Sequence, residues 1–170
     1  MMHFGSPAQC VGYVAFVLGV WAFSQKDDRR LKFLNASECL AYSVHFALLG
    51  NPSASASSLV SAIRSFLALK IRSPFLAALI IAVNVALGFK FATGVAGWLP
   101  VVASCSATVA VFLLRGIPMR MLLLMSTMLW LANNILSGSI GGTLLECIIG
   151  TVNTITMTRM LIARSKAALV

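Results

Sequence analysis

The chain has 170 residues, of which 59% are hydrophobic and 10% are charged, whereas about a quarter of the residues of a typical soluble domain are charged. This composition excludes a soluble globular protein and indicates an integral membrane protein. The formal net charge of +9 would favour nucleic acid as a partner only if the basic residues formed one patch, but they are spread over separate loops, so no nucleic acid is expected.

Apolar stretches long enough to cross a bilayer, which takes about 20 residues, recur along the whole chain. Short connections rich in turn residues, such as Gly50-Asn51-Pro52, separate them. We therefore expect an all-α integral membrane protein with seven transmembrane helices. These predicted helices 1 to 7 cover residues 8–25, 31–49, 54–70, 75–91, 98–114, 119–136 and 140–162.

The basic residues of the connections predict which loops face the cytoplasm. They lie between helices 1 and 2, between 3 and 4, between 5 and 6, and at the C-terminal end, while the connections at 50–53 and 137–139 carry none. Because Lys and Arg accumulate in cytoplasmic loops, we predict an N-terminus outside and a C-terminus in the cytoplasm. The residues that carry this prediction are Lys26, Arg29, Arg30, Lys32, Lys70, Arg72, Arg115, Arg120, Arg159, Arg164 and Lys166.

A pattern recurs 88 residues apart, as Tyr42-x-x-His45-x-x-x-x-Gly50 and as Trp130-x-x-Asn133-x-x-x-x-Gly138. Each copy spans the outer end of one predicted helix and the start of the next. Because each unit has an odd number of helices, directly joined copies would face opposite ways, and one extra crossing restores the same orientation. We therefore predict two parallel triple-helix bundles joined by a linking helix (3+1+3), with residues 1–72 as the first bundle, 73–92 as the linking helix and 93–170 as the second bundle.

Ionisable residues within the predicted helices are the first candidates for a functional site. A charge in hydrocarbon costs about 2.5–3.5 kcal/mol, so such residues normally face the bundle interior and have partners. At a rise of about 1.5 Å per residue, Glu38 and Arg64 lie at nearly the same depth. They form either a structural ion pair between helices 2 and 3 or a group that handles substrate or protons.

A second polar layer lies nearer the outer side, where His45 and Asn133 occupy equivalent positions of the two copies. His45 is either a neutral, hydrogen-bonding packing residue or a functional one. Glu146, about a turn into helix 7, either binds a coupling proton or faces the outer solvent at the helix start. The candidate substrate-binding residues are Tyr42, His45, Arg64, Trp130, Asn133 and Asn153, and the candidates for proton coupling or an ion pair are Glu38 and Glu146.

At these residues the chain resembles the YgjV-type bacterial inner-membrane proteins, over roughly residues 8–166. The resemblance implies a multi-pass protein of the bacterial inner (cytoplasmic) membrane. At Asn133 relatives carry histidine, which argues against a mechanism with two symmetric histidines. The matching stretches are Asp28-Arg29-Arg30, His45-Phe46-Ala47-Leu48-Leu49-Gly50, Ala62-Ile63-Arg64, Leu99-Pro100-Val101, and Gly138-Ser139-Ile140-Gly141-Gly142-Thr143 followed by Glu146 and Asn153.

More remotely, the three-one-three plan resembles the SWEET, SemiSWEET and PQ-loop transporters. In that fold two triple-helix bundles enclose a substrate site, and a proline in the first helix of each bundle supports bending. Pro100 matches this proline and Gly12 stands at the equivalent position of the first copy, so the resemblance implies that these two residues are hinges. The proline-glutamine dipeptide is absent, since Val101 follows Pro100, and residue matches do not support a sugar as substrate.

The sequence favours a small-molecule membrane transporter of the SWEET-like alternating-access type. Its substrate is unknown, and the ionisable residues suit an anionic, proton-coupled one. The alternative is a non-transporting integral membrane scaffold or receptor, which would have its polar residues paired and no cavity between the bundles. Neither an enzyme, a cofactor nor a metal is expected, because no nucleophile–base pair or metal-ligand cluster is present. The expected partners are the lipid bilayer and a small molecule, and a homo-oligomer is left open.

Overall fold

The computed structural model describes residues 5–25, 28–71 and 73–167. Within these ranges the chain forms seven helices, each of which corresponds to one predicted helix. Lys26 and Arg72, which support the predicted topology, lie outside the described residues. The helices are α1 (Pro7–Ser24), α2 (Asp28–Leu48), α3 (Pro52–Leu67), α4 (Pro74–Phe91), α5 (Gly94–Leu113), α6 (Gly116–Leu136) and α7 (Ile140–Ala167).

Four of the described helices, α4 to α7, are long and apolar enough to cross a membrane. In α1 the apolar stretch is shorter, Pro7–Ala22, and α3 is a serine-rich helix of 16 residues. Every one of these seven helices nevertheless exposes large apolar side chains, such as Val17, Phe33 and Phe75. The buried side chains include Glu38 and His45. An apolar outside with a polar inside is the arrangement expected of a helix bundle in lipid.

The helices that the structure describes pack as a closed ring of six with one helix outside it. The ring order is α1, α2, α3, α5, α6 and α7, and α7 packs against α1 to close it. The remaining helix, α4, packs on the outside against α3 and α5. Two contacts join the halves of the ring, α3 with α5 and α7 with α1. When each helix of α1–α3 is exchanged with its counterpart in α5–α7, one of these contacts becomes the other. The contact pattern therefore has approximate two-fold symmetry.

The 88-residue offset reappears in the bounds of the helices. The span Asp28–Leu48 of α2 becomes Gly116–Leu136 of α6 after the shift, and the starts of α3 and α7 are related in the same way. Gly50 and Gly138 follow α2 and α6 with φ values of 73° and 68°. Glycine adopts this left-handed conformation without a steric penalty, so it ends both helices in the same way.

The starts of α3 and α7 are also capped in the same way. The Asn51 side chain accepts a hydrogen bond from the Ala54 N–H at 3.0 Å, and the Ser139 hydroxyl accepts one from the Gly142 N–H at 3.2 Å. Asparagine and serine are among the preferred N-caps because their side chains satisfy a free N–H of the first turn. Below, the end of the bundle that carries these two turns is called the outer end, and the opposite end is called the inner end.

Two clusters of buried apolar side chains hold the ring together. The first joins Phe46 of α2 to Leu145 of α7 near the outer end. The second joins Val60 of α3, Ile80 of α4 and Phe112 of α5, and thereby fixes α4 to the outside of the ring.

The contact between α7 and α1 that closes the ring depends on glycine. A Cβ added at Gly141 would lie 2.6 Å from the carbonyl oxygen of Gly12, and backbone cannot move away without separating the helices. We expect Gly141→Ala to destabilise the protein by about 1–3 kcal/mol, as overpacking of a tight contact does. The measurement is thermal unfolding of the purified protein in detergent.

Gly150→Ala is the matched control on the same helix. Its added Cβ would meet the flexible Met128 methyl group and the Thr127 methyl group at 3.3 Å, which can move by a few tenths of an ångström. We expect a clearly smaller loss for this variant. Equal losses for the two variants would contradict the close approach of α7 and α1.

Candidate functional site

A cavity of about 590 Å³ lies inside the ring and is lined by residues of α2, α3, α5, α6 and α7. This volume is within the range of about 300–1,000 Å³ that is usual for small-molecule sites. The cavity extends from Asn134 and Gly142 near the outer end to Arg120 and Ala68 near the inner end. It therefore runs through most of the length of the ring.

The lining of the cavity follows the repeat. Every lining residue from the first half of the chain has its counterpart, 88 positions later, in the lining as well. The cavity thus lies between the two halves rather than within one of them. The ten pairs are Asn35 with Leu123, Glu38 with Ser126, Cys39 with Thr127, Tyr42 with Trp130, Phe46 with Asn134, Ser58 with Glu146, Ser61 with Ile149, Arg64 with Val152, Ser65 with Asn153 and Ala68 with Thr156.

Four charged side chains line the cavity: Glu38, Arg64, Arg120 and Glu146. Two come from the first half and two from the second, so both halves contribute charged side chains to the cavity. The sequence had suggested Arg120 only as a topology marker. The spacing along α6 could have indicated its place in the cavity. Arg120 precedes Thr127 by seven residues, or two helical turns, and so lies on the cavity face of α6.

Arg64 is held against α5 by neutral groups. Its Nη1 donates to the Ser104 carbonyl oxygen at 3.1 Å and to the Thr108 hydroxyl at 3.2 Å. Glu38, which is 8% exposed, lines the same cavity at a similar depth. No direct ion pair joins these two side chains, both of which the structure describes, although their charges attract each other. Of the two interpretations of Glu38 and Arg64, the direct ion pair between helices 2 and 3 is thus not formed, and Arg64 bonds α5 instead.

Arg120 and Asn153 form a reciprocal pair between α6 and α7. The Arg120 Nη1 donates to the Asn153 side-chain oxygen at 3.1 Å, and the Asn153 amide nitrogen donates to the Arg120 carbonyl oxygen at 2.9 Å. Both ends of the Asn153 amide are thus engaged. The structure places Asn153 in the lining, as the sequence suggested for a substrate residue, and its bonds also position a guanidinium.

Glu146 lines the cavity between α6 and α7 rather than facing only the outer solvent. It is half-buried. Its counterpart in the first half is Ser58, so the two halves place different chemistry at the same position.

An aromatic row crosses the outer part of the cavity. Tyr42 stacks on Phe46 and Phe46 stacks on Trp130, each with ring centroids 5.9 Å apart. Two buried polar atoms in this region, the Tyr42 hydroxyl and the Asn134 side-chain oxygen, have no hydrogen-bond partner among the described residues. Tyr42 is 7% exposed and Asn134 is 3% exposed. Buried polar groups are rarely left in this state without a ligand or water.

His45 lies outside the cavity lining, in the contact between the two halves. Its Nδ1 is 2.6 Å from the Ala8 carbonyl oxygen and its Nε2 is 2.8 Å from the Ser139 hydroxyl. A carbonyl only accepts hydrogen bonds, so Nδ1 carries a proton, and in the neutral imidazole Nε2 accepts from the Ser139 hydroxyl. The imidazole therefore links α2 to the start of α1 and to the α6–α7 turn.

Asn133, the counterpart of His45, also lies outside the lining. It accepts a hydrogen bond from the Asn51 amide at 3.0 Å, and the same amide donates to the Ser137 hydroxyl at 2.8 Å. Gln9 adds a third link at this end, since its amide donates to the Gly138 carbonyl oxygen at 2.7 Å. These residues form an outer latch, defined here as Gln9, His45, Asn51, Asn133, Ser137 and Ser139, that joins the two halves.

Gly12 makes room for the imidazole. A Cβ added at Gly12 would lie 2.7 Å from Cε1 of His45, and one added at Gly19 would lie 3.4 Å from the carboxylate carbon of Glu38. The two glycines are seven residues apart on α1, as His45 and Glu38 are on α2. Gly12 therefore allows α1 to pack closely against His45 of α2. Its role as a hinge stays a prediction.

Pro100 is buried within α5, which continues through it from Gly94 to Leu113. A proline inside a helix leaves the carbonyl four residues earlier without its usual donor. In the same turn the Ser53 hydroxyl of α3 donates to the Gly97 carbonyl oxygen at 2.5 Å. This bond ties α3 to the part of α5 that the proline weakens, and a hinge at Pro100 stays a prediction.

Comparison with known proteins identifies relatives along nearly the whole chain. Residues 6–164 match the model of the family Imp-YgjV, described as bacterial inner membrane protein. The inner membrane protein YgjV of Escherichia coli (strain K12) is 36% identical over 139 residues, which cover 82% of this chain and 76% of that protein. No solved structure matches this chain.

The His45–Ser139 bond generates a test of the outer latch. Removal of the imidazole in His45→Ala leaves the Ala8 carbonyl and the Ser139 hydroxyl without their partner, and we expect a loss of stability of about 1–3 kcal/mol. Ser139→Ala should cost less in the His45→Ala background than in the unaltered protein, because the shared bond is already gone. Thermal unfolding of the four proteins in detergent measures the coupling, and strictly additive losses would argue against the bond.

Proposed function

This chain belongs to the Imp-YgjV family of bacterial inner membrane proteins, and we propose that it is a small-molecule transporter that works by alternating access. The observation that carries the proposal is the cavity, whose lining consists of equivalent positions from the two halves. Transporters built from repeats typically bind their substrate at the interface of the repeats, where rocking of one unit against the other exposes the site to each side in turn.

The proposal includes a topology of seven transmembrane helices in two triple-helix bundles, α1–α3 and α5–α7, with α4 as the linking helix. The shared helix bounds and the two-fold contact pattern support the pairing of the bundles. The basic residues of alternate loops support an N-terminus outside and a C-terminus in the cytoplasm. The outer end defined above would then face away from the cytoplasm.

The hydrogen bonds between the halves suggest which side is closed. At the outer end, Gln9 bonds the Gly138 carbonyl, His45 bonds Ser139 and Asn51 bonds Ser137. Toward the inner end, Asn35 bonds Ser65 within one half, and the described bonds between the halves join α3 to α5, as from Arg64 to Ser104. We therefore assign the described conformation to the state closed at the outer end, and opening requires the outer latch to break.

A non-transporting scaffold or receptor is the second candidate function. A scaffold would be expected to fill the space between the bundles and to pair its buried charges. The volume of the cavity and the lack of direct ion pairs among its four charged side chains, as far as the chain is described, favour transport instead. The proposal involves no enzymatic step.

Access to the cavity from both sides can be tested without knowledge of the substrate. In a variant without the four native cysteines, Ser126→Cys places one thiol in the cavity lining, at a side chain that is 4% exposed. Alternating access predicts that a membrane-impermeant maleimide labels this thiol from either side, in right-side-out and in inside-out vesicles. Labelling from one side only would contradict the proposal and favour a receptor.

A cross-link across the outer latch sharpens this experiment. Asn51→Cys and Ser137→Cys, joined by a short thiol-specific cross-linker, should lock the outer end closed. Labelling of Ser126→Cys from the outer side should then fall by about tenfold or more, while labelling from the inner side stays unchanged, because only one of the two states remains populated. Ser43→Cys joined to Ser55→Cys is the matched control, since this pair lies within one half and outside the cavity lining, and it should leave both labelling rates unchanged.

A further inference from the structure

The charged groups of the cavity, all of which the structure describes, do not pair directly with one another. Buried charges in a membrane protein normally pair with one another. Here the guanidinium of Arg64 bonds a carbonyl and a hydroxyl, and that of Arg120 bonds the amide of Asn153. Within the described residues, neither arginine forms a direct ion pair with Glu38 or Glu146.

Both guanidinium groups keep donors for an anion. A guanidinium has five N–H donors in a planar fork that matches a carboxylate. The bonds of Arg64 and of Arg120 to other described residues all start from Nη1. The Nη2 and Nε donors of these two cavity-lining groups make no hydrogen bond to another described residue.

The two carboxylates provide the complementary half of a site. Glu38 and Glu146 come from opposite halves of the chain, α2 and α7, and line the same cavity. Tyr42 and Trp130, also in the lining, add aromatic faces, which attract ammonium groups. The Tyr42 hydroxyl is buried without a partner among the described residues and supplies a further polar contact.

The four groups are spread along the axis of the ring. At a rise of about 1.5 Å per residue, Glu146 and Glu38 lie about 9 and about 15 Å below the outer ends of their helices. The same count places Arg64 and Arg120 about 18 and about 24 Å below the outer ends. Glu146 is thus the outermost group and Arg120 the innermost, with Glu38 and Arg64 at a similar depth between them.

The two kinds of ionisable group restrict the ligand further. The cavity offers two carboxyl groups and two guanidinium groups, so a ligand with groups of only one sign would find partners of only one kind. A ligand that carries one positive and one negative group has partners of both kinds. The volume of about 590 Å³ suits a molecule of this kind with a modest side group.

We propose that the ligand of this cavity is a small zwitterion, with an ammonium group bound by Glu38 and Glu146 and an anionic group bound by Arg64 and Arg120. The inference rests on the proposed function in that it names the class of molecule that would be transported. Binding of such a molecule does not itself require transport, so the two are tested separately.

The test uses the full chain, purified in detergent, and the twenty amino acids as probes, because specific binding raises the apparent stability. Each amino acid that raises the unfolding temperature is compared, by equilibrium dialysis, with the amine that lacks its carboxylate and with the acid that lacks its ammonium group. For leucine these are 3-methylbutylamine and 4-methylpentanoate. We expect at least one zwitterion to bind about tenfold more tightly than both of its analogues, about the effect of one lost charged contact.

Variants of the charged residues assign the two ends of the ligand. Arg120→Gln and Arg64→Gln should reduce the affinity for the zwitterion to that for its amine analogue, while amine binding is unchanged and reports an intact fold. Glu146→Gln should do the converse and leave the binding of the acid analogue unchanged. Arg159→Gln, an exposed position on α7, is the matched control and should change neither affinity.

The proposal is overturned if no zwitterion binds, or if an amine, an acid or an uncharged sugar binds as tightly as the zwitterion. Zwitterion binding with one-sided labelling of Ser126→Cys would refute transport and leave the ligand assignment standing. Labelling from both sides without zwitterion binding would refute the ligand assignment and leave transport standing.

Discussion

A charge in hydrocarbon costs about 2.5–3.5 kcal/mol on insertion scales, and this cost sets the arrangement of the whole molecule. Large apolar side chains such as Phe75 and Phe89 cover the outside of the helices, while the ionisable and amide side chains turn inward. A closed ring of helices satisfies this constraint better than a filled bundle does, because four charged side chains and their polar neighbours need a shared interior space. The cavity is therefore a consequence of where polar residues are allowed to go in lipid.

The outer latch and the cavity differ in how their polar groups are bonded. In the outer latch, His45 has partners on both ring nitrogens, and Asn51 donates to Asn133 and Ser137, although the Asn133 amide nitrogen is buried without a partner among the described residues. In the cavity, Glu38 has no direct ionic partner among the described residues, and the Tyr42 hydroxyl has no hydrogen bond. Satisfied groups stabilise a structure, whereas groups without partners are free to bind something else. The latch therefore suits a structural closure, and the cavity suits a ligand.

The two halves of the chain are more alike in backbone structure than in the side chains at equivalent positions. Gly50 and Gly138 end their helices with nearly the same φ, since few backbone conformations form such a turn. In the cavity, by contrast, Glu38 is matched with Ser126, and Arg64 with Val152, at equivalent positions. Each half nevertheless contributes one acidic and one basic side chain, because Glu146 and Arg120 occupy other positions in the second half. The pseudo-symmetric frame thus holds an asymmetric arrangement of two acidic and two basic side chains.

The seven helices, their turns and the 88-residue offset were predictable from the sequence, because hydropathy, proline and left-handed glycine act within a few residues of the chain. So was the inward position of Glu38 and Arg64, which follows from the cost of charge in lipid. The ring order and the positions of single side chains were not predictable from the sequence, since they depend on how each helix is rotated and how closely its neighbours approach. Gly12 on α1 admits the imidazole of His45 to the latch, which no pattern in α2 reveals. Arg120 reaches the cavity because a long side chain extends inward from a helix end, and only the packing of α6 against α7, with Asn153 as the partner, decides that direction.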